Sequence, residues 1–236
     1  MRQLNDASQE IAEMGEGVRG HVRIGAVTGP ALEIVLPALR QLRIAYPEIE
    51  ISVDVETSDK LADSLLSRDL DFSIGRLPAE IDGRVVRMRK IGPEPVAFVV
   101  RSDHPLTRKS SVTIDQCLPF DWVMQPPNGL MRREVETYLL ENGYAIPSRI
   151  LSTSSLLLTL AIISETNAVT PLARSVGEFY SRRSGMGGNI ALLDLPNKME
   201  VSAFSFVFPA GQELSPAAQR VLSALERKTQ DVMAPL

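Results

Sequence analysis

The feature that most constrains the fold is a pattern that occurs twice, with the two copies about a hundred residues apart. Each copy consists of a predicted strand, a short polar turn, a helix and a second strand. The first copy occupies residues 21–55, with its turn at 28–30, and the second occupies residues 122–155, with its turn at 125–129. This repeat predicts two α/β lobes with a cleft between them, since polar turns at strand ends place hydroxyls and helix N-termini where a ligand binds. The pattern therefore favours a binding protein over an enzyme.

Two apolar runs define the predicted lobes. Residues 95–100 are predicted to carry the chain from the first lobe to the second, and residues 201–207 to carry it back. Lobe I is therefore predicted to comprise residues 20–98 and 206–236, and lobe II residues 99–205. Residues 1–19 are predicted to be the end of a longer linker helix, with a segment that packs on a partner as the alternative. The order strand, helix, strand, helix, strand over residues 21–75 predicts a parallel sheet covered by helices. The two crossing strands predict a hinge.

Composition narrows the class of protein. With 44% apolar and 23% charged residues, the chain has the composition of an ordered globular protein. The net charge is −4 and no long basic run occurs, so the chain alone is not predicted to bind nucleic acid. A single cysteine, Cys117, excludes an internal disulfide. Neither a signal peptide nor a run of about 20 apolar residues is visible, so we expect a cytoplasmic protein without a membrane partner.

Several short motifs in a fixed order are shared with one known family. They are found at residues 20–25 (GHVRIG), 36–37 (LP), 46–47 (YP), 70–76 (LDFSIGR), 102–106 (SDHPL) and 141–147 (ENGYAIP). Together they make the chain resemble the effector-binding domain of LysR-type transcriptional regulators, from Gly20 to about Arg227. The resemblance implies two Rossmann-like lobes joined by two crossing strands, as in type 2 periplasmic binding proteins. One departure is segment 164–170, which occupies the place where the family commonly has a Gly-x-Gly turn.

The resemblance also implies partners. Members of the family usually open with a winged helix-turn-helix, which this chain is expected to lack, so promoter DNA would be bound only through that missing N-terminal domain. The expected assembly is an antiparallel homodimer, with a tetramer in the full-length form. Helix one and the helix over residues 130–140 are the expected contact surfaces.

Three predicted helix N-termini supply the candidate effector site. A helix N-terminus offers N–H groups and about half a positive charge, which suits a carboxylate, a phosphate or a hydroxyl-rich ligand. The resemblance places the effector-binding hydroxyls at Thr28, Ser58 and Thr153. The full predicted set is Thr28, Gly29, Pro30, Thr57, Ser58, Gln125, Asn128, Ser152, Thr153 and Thr170. For each hydroxyl the alternative is a plain N-cap that stabilises its own helix by about 1 kcal/mol.

No catalytic constellation is apparent. Neither His21 nor His104 has a cysteine or carboxylate at metal-ligand spacing, and Cys117 is predicted to be a small core residue. We therefore predict no metal, no cofactor and no enzymatic activity. Arg132 and Arg133 are predicted to be solvated helix positions, with contact to an anion as the alternative.

The predicted function is an effector-binding domain that senses a small anionic or hydroxylated metabolite and signals to DNA-binding heads outside this chain. The alternative is the solute-binding protein of a transporter, which shares the architecture. A third possibility is an enzyme on the same scaffold.

Overall fold

The computed structural model describes residues 18–127, 129–182, 189–196 and 198–233. The chain divides into two compact units: Met1–Gly92 with Phe204–Leu236, and Pro93–Ala203. The predicted linker helix over residues 1–19 lies almost entirely outside the described residues.

The strands follow one another along the chain with helices between most of them. They are β1 (Gly20–Ala26), β2 (Ile49–Val55), β3 (Phe72–Gly75), β4 (Val86–Arg101), β5 (Trp122–Met124), β6 (Ile150–Ser152), β7 (Thr170–Ala173), β8 (Ile190–Leu192) and β9 (Met199–Pro209). Two of them, β4 and β9, contribute residues to both units.

The first long helical stretch is composite. A single α-turn over Thr28–Pro30 leads into a π-helical segment over Ala31–Val35, which continues as helix α1 (Leu36–Ala45). The remaining helices are α2 (Ser58–Leu66), α3 (Ile114–Cys117), α4 (Leu130–Glu141), α5 (Leu156–Glu165), α6 (Arg174–Ser181) and α7 (Pro216–Met233), with 3₁₀ turns at Gly83–Val85 and Pro105–Arg108. Within the described residues, no helix is long and apolar enough to cross a membrane.

The first unit is built on a parallel sheet. β1 pairs in parallel with β2, from Gly20 opposite Ile49 to Ala26 opposite Val55, and also pairs in parallel with β3. β9 then joins β3 in the antiparallel direction. Apolar side chains from these strands, from α1 and from α7 form one buried cluster, and Leu61 and Leu65 of α2 belong to a second. The carboxyl ends of β1, β2 and β3 therefore lie at one edge of the sheet.

The second unit repeats this arrangement with shorter strands. β5 pairs in parallel with β6, and Trp122 forms a parallel bridge with Val169, immediately before β7. β7 and β8 each pair antiparallel with β4. Its largest buried side chain, Trp122, packs edge-on against Phe98 and donates its indole N–H to the Cys117 carbonyl at 3.1 Å. The carboxyl ends of β5 and β6 again lie side by side.

Segment 164–170, where the family commonly has a Gly-x-Gly turn, forms its turn without glycine. Among the described non-glycine residues only Arg68 has a positive φ, so no residue of this segment needs one. Side chains support the turn instead: the Thr166 hydroxyl donates to the Ile162 carbonyl at 2.7 Å and accepts from the Ala168 N–H at 3.1 Å. Arg101 and His104 hold Asn167 through its side-chain and backbone oxygens.

Candidate functional site

Most of the predicted effector-binding residues fall into two groups, one in each unit. The first strand-end cluster consists of Thr28–Pro30, Thr57, Ser58, Gly75 and Arg76, at the carboxyl ends of β1, β2 and β3. The second strand-end cluster consists of Gln125, Arg132, Ser152, Thr153 and Thr170, around the carboxyl ends of β5 and β6. Asn128, also predicted, lies outside the described residues.

Backbone hydrogen bonds join the three strand ends of the first cluster. The Val27 N–H donates to the Ile74 carbonyl at 2.9 Å, and the Glu56 N–H donates to the Ala26 carbonyl at 3.3 Å. These bonds continue the sheet past the last residue of each strand. As a result, the helix starts at Thr28 and Ser58 leave the sheet from adjacent positions.

Ser58 is the most constrained hydroxyl of the first cluster. Only 6% of this residue is exposed, and its Oγ accepts a hydrogen bond from the Arg76 backbone N–H at 3.2 Å. A Cβ added to Gly75 would lie 3.5 Å from Ser58 Oγ, so a small residue at position 75 keeps the space beside the hydroxyl open. Besides accepting this bond, a serine hydroxyl has a hydrogen of its own that it can donate.

Neither helix start in this cluster is capped by its own side chain. Thr57 is the N-cap of α2 and Val27 the N-cap of the turn at Thr28, and neither makes a side-chain cap hydrogen bond. The interpretation of Thr57 as a capping residue is therefore not supported by its geometry. A helix N-terminus without a side-chain cap retains partial positive charge that favours an anion.

Arg76 is a member of this cluster that the sequence did not identify as a site residue. It directly follows β3 and only 8% of it is exposed. It belongs to the cluster through its backbone N–H, which donates to Ser58 Oγ. The positive character of the cluster comes from its two helix starts, which favour a negatively charged ligand.

In the second cluster the hydroxyls have different local roles. Ser155, rather than Ser152 or Thr153, caps α5 by accepting from the Leu158 N–H at 3.2 Å. Thr153 Oγ1 accepts from the Ser155 N–H at 3.1 Å, and Ser152 is exposed. Thr170 is only 1% exposed and donates its hydroxyl to the Val123 carbonyl at 2.8 Å, so its hydrogen is already used between β7 and β5.

Arg132 differs from its predicted role as a solvated position. Only 12% of its side chain is exposed, because acceptors from three parts of the unit surround it. Its Nη1 donates to the Gln125 carbonyl at 3.3 Å and to Ser152 Oγ at 3.1 Å, while its Nε donates to Glu136 at 2.7 Å. The guanidinium therefore connects the end of β5 to the end of β6.

Cys117 and His104 are two further buried groups, and their surroundings indicate structural roles. Burial raises the pKa of the Cys117 thiol to about 12, so the thiol stays protonated and unreactive. Burial lowers the pKa of His104, whose Nδ1 accepts from the Leu106 N–H at 3.1 Å. No group of three or more histidine, cysteine or acidic side chains suited to a metal ion occurs in the described part of the chain.

Comparison with known proteins identifies the family. The sequence profile of the LysR substrate binding domain matches residues 15–230. The chain belongs to this family.

Two transcriptional regulators are similar to this chain in sequence. The HTH-type transcriptional regulator GbpR of Rhizobium radiobacter is 44% identical over 179 residues, which make up 76% of this chain and 59% of that protein. GbpR of Azospirillum brasilense is 31% identical over 223 residues, or 94% of this chain and 64% of that protein. The chain therefore spans about three fifths of the length of these LysR-family relatives.

A solved structure supports the fold. The effector-binding domain of QuiR, determined in complex with shikimate, matches with a TM-score of 0.72 at 11% identity, covering 90% of this chain and 98% of that domain. Together, the comparisons confirm the predicted family, the predicted fold class and the prediction of a LysR-type effector-binding domain. They give no support to the transporter alternative, since both relatives are transcriptional regulators.

Proposed function

We propose that this domain binds a small anionic effector, a carboxylate above all, through hydroxyls and helix starts at its strand ends. The observation that carries the proposal is the environment of Ser58. Its hydroxyl accepts from the Arg76 N–H and keeps its own hydrogen to donate, at the start of a helix without a side-chain cap. A donor hydroxyl and a positive helix end both favour a ligand with negatively charged oxygens. Shikimate, which the QuiR domain binds, is a hydroxylated carboxylate and fits this description.

The residues proposed to contact the effector are those predicted from the sequence. Thr28 and Ser58 are the primary hydroxyls of the first cluster, and Ser152 and Thr153 those of the second. Thr170 receives a supporting role, because its hydroxyl is buried and donates to the Val123 carbonyl. Asn128 remains a proposed contact from the sequence alone.

Isothermal titration with single-residue variants tests the proposal. The titrants are sodium shikimate, sodium benzoate and sodium gluconate, with glucose as a neutral comparison. We expect at least one carboxylate to bind, and Ser58→Ala to weaken that binding about tenfold, which corresponds to about 1.4 kcal/mol for one hydrogen bond to a charged group. Ser64→Ala, in the same helix but outside the cluster, is the matched control and should bind like the wild type. Equal affinities for Ser58→Ala and Ser64→Ala would remove Ser58 from the site.

The proposed assembly is the antiparallel homodimer implied by the family, with a tetramer in the full-length protein. Both expected contact surfaces expose large apolar side chains: Ile44 of α1 is 85% exposed and Leu140 of α4 is 62% exposed. Burying such side chains drives association. Sedimentation velocity should show a dimer for the wild type and a monomer for Ile44→Lys. A wild-type monomer at high concentration would contradict the proposal.

In the whole regulator, we propose that effector binding changes how DNA-binding heads outside this chain engage promoter DNA. The effector would do so by favouring one of two conformations, and only to the extent that its affinity differs between them. We place the protein in the cytoplasm and assign it no catalytic activity. The transcriptional-regulator relatives support both assignments. Fluorescence anisotropy with random duplex DNA should detect no binding by this chain at physiological salt.

A further inference from the structure

Arg132 has contacts that a solvated surface arginine does not make. It lies in the first turn of α4, and its Nε donates to Glu136 Oε1, one turn further along the helix, at 2.7 Å. Its Nη1 donates to the Gln125 carbonyl just after β5 and to the Ser152 hydroxyl at the end of β6. The two acceptors of Nη1 belong to segments 27 positions apart in the sequence, so this side chain fixes their spacing.

The pairing with Glu136 explains why an arginine is needed here. A guanidinium is planar and holds its N–H groups in a fixed fork, so fixing Nε on Glu136 also fixes the direction of Nη1. A lysine ammonium is a single point of charge on a flexible chain. It cannot reach Glu136, Gln125 and Ser152 in this geometry at the same time.

The direction of the bond to Ser152 determines what that hydroxyl offers to a ligand. Ser152 Oγ accepts from Arg132, so its own hydrogen does not point at the guanidinium and can be donated to another group. The neighbouring Thr153 Oγ1 likewise accepts from the Ser155 N–H. Each of these two hydroxyls accepts a hydrogen bond from the protein and can donate its own hydrogen to a ligand. The charge of Arg132 is paired with Glu136, so Arg132 influences Ser152 through its hydrogen bond.

We propose that Arg132 is a positioning residue that holds Ser152 as a hydrogen-bond donor for an anionic oxygen of the effector. The proposal rests on the proposed function, because it assigns a role at the same site. Arg132 acts on the effector through Ser152 rather than by touching the effector itself.

A double-mutant cycle with shikimate as the probe tests this role. Arg132→Lys and Ser152→Ala should each weaken shikimate binding by roughly five- to tenfold, in the range for one hydrogen bond to a charged group. If Arg132 acts through Ser152, the double variant should bind no more weakly than Ser152→Ala alone. A purely structural role for Arg132 would make the two effects multiply, and that result would overturn the proposal.

The chain offers a matched control in Arg174→Lys. Arg174 pairs with Glu178 in the same i,i+4 order on α6, at 3.8 Å, but 43% of its side chain is exposed. This variant should bind shikimate like the wild type. A loss equal to that of Arg132→Lys would show that any such pair matters, and would also overturn the proposal.

A measurement without ligand separates this proposal from the proposed function. In ¹H–¹⁵N spectra of the free protein, Arg132→Lys should shift the amide signals of Gln125, Ser152 and Thr153, while Arg174→Lys should leave them in place. Unmoved signals in Arg132→Lys would overturn the positioning role. If the wild type fails to bind any of the carboxylates, the proposed effector class is wrong, and the amide signals still decide the role of Arg132.

Discussion

Gly25→Ala should destabilise the first unit, because β1 has no room for a side chain at this position. A Cβ built on Gly25 would lie 2.6 Å from Leu61 Cδ2, 2.7 Å from Leu70 Cδ1 and 3.3 Å from Ser73 Cβ. Real Cβ atoms do not approach other heavy atoms to less than 3.0 Å, so neighbouring atoms must move. Leu61 and Leu70 are each only 2% exposed, so their methyl groups have no solvent to move into.

The size of the effect follows from two opposing contributions. Overpacking a filled core costs about 1–3 kcal/mol. Replacing glycine by alanine restricts the unfolded chain and returns about 0.4–1 kcal/mol. We therefore expect Gly25→Ala to lower the free energy of unfolding by about 1–2 kcal/mol. Because Leu61 lies one turn after Ser58 in α2, the same displacement should also weaken effector binding.

Urea unfolding followed by circular dichroism measures this change. The matched control is Gly83→Ala, since a Cβ at Gly83 meets nothing within 4 Å and its φ is not positive. That variant should keep the wild-type midpoint or raise it slightly. If Gly25→Ala proves as stable as Gly83→Ala, the core beside Gly25 can accommodate a methyl group. The inference that α2 packs closely on β1 because residue 25 has no side chain would then be wrong.

Three further predictions concern single residues in other parts of the fold. Arg68 has a left-handed φ of 63° at the end of α2, so Arg68→Gly should raise the free energy of unfolding by about 0.5–1 kcal/mol in urea titrations. Because burial raises the pKa of Cys117 to about 12, its thiol should react with Ellman's reagent only after denaturant is added, and fast labelling of the native protein would contradict this. Burial lowers the pKa of His104 below 6.5, so the unfolded chain takes up its proton first and stability should fall as the pH drops below about 6.5. His104→Gln should reduce the difference between the urea unfolding midpoints measured at pH 5 and pH 7.5. An unchanged difference would show that other groups cause the pH dependence of stability.

Much of the first unit was predictable because the spacing of its apolar residues matches the strands and helices that form. The alternation over residues 49–55 matches β2, and the leucines at 61 and 65 match the buried face of α2. The first half of β4 is marked in a different way. Residues 87–90 are all exposed and three of them are basic, which is typical of a strand whose side chains face solvent.

The site was less predictable than the fold. Four consecutive hydroxyl residues, 152–155, each suit an N-cap, and only the structure shows that Ser155 is the one that caps α5. Arg132 has the sequence context of a solvated residue, because the acceptors that bury it come from three separate segments. The effector contacts themselves stay a prediction. So do the lobe boundaries at residues 98 and 206, which differ from the division between the units at Gly92 and at Phe204.

The π-helical segment lies between Thr28, a proposed effector contact, and the part of α1 that packs in the core. The Leu36 N–H bonds to the Ala31 carbonyl, five residues earlier, so this turn holds one residue more than an α-turn. Beyond it, Ala38 and Leu42 anchor α1 in the core, while Thr28 lies on the other side of the extra residue. An α-helix turns by roughly 100° per residue, so deleting one residue from this segment would rotate Thr28 by that angle while the anchor stayed in place. In related proteins, the gain or loss of a single codon here would therefore turn the start of the helical stretch relative to α1, and Ile34 and Val35 of the segment would have to repack in the core.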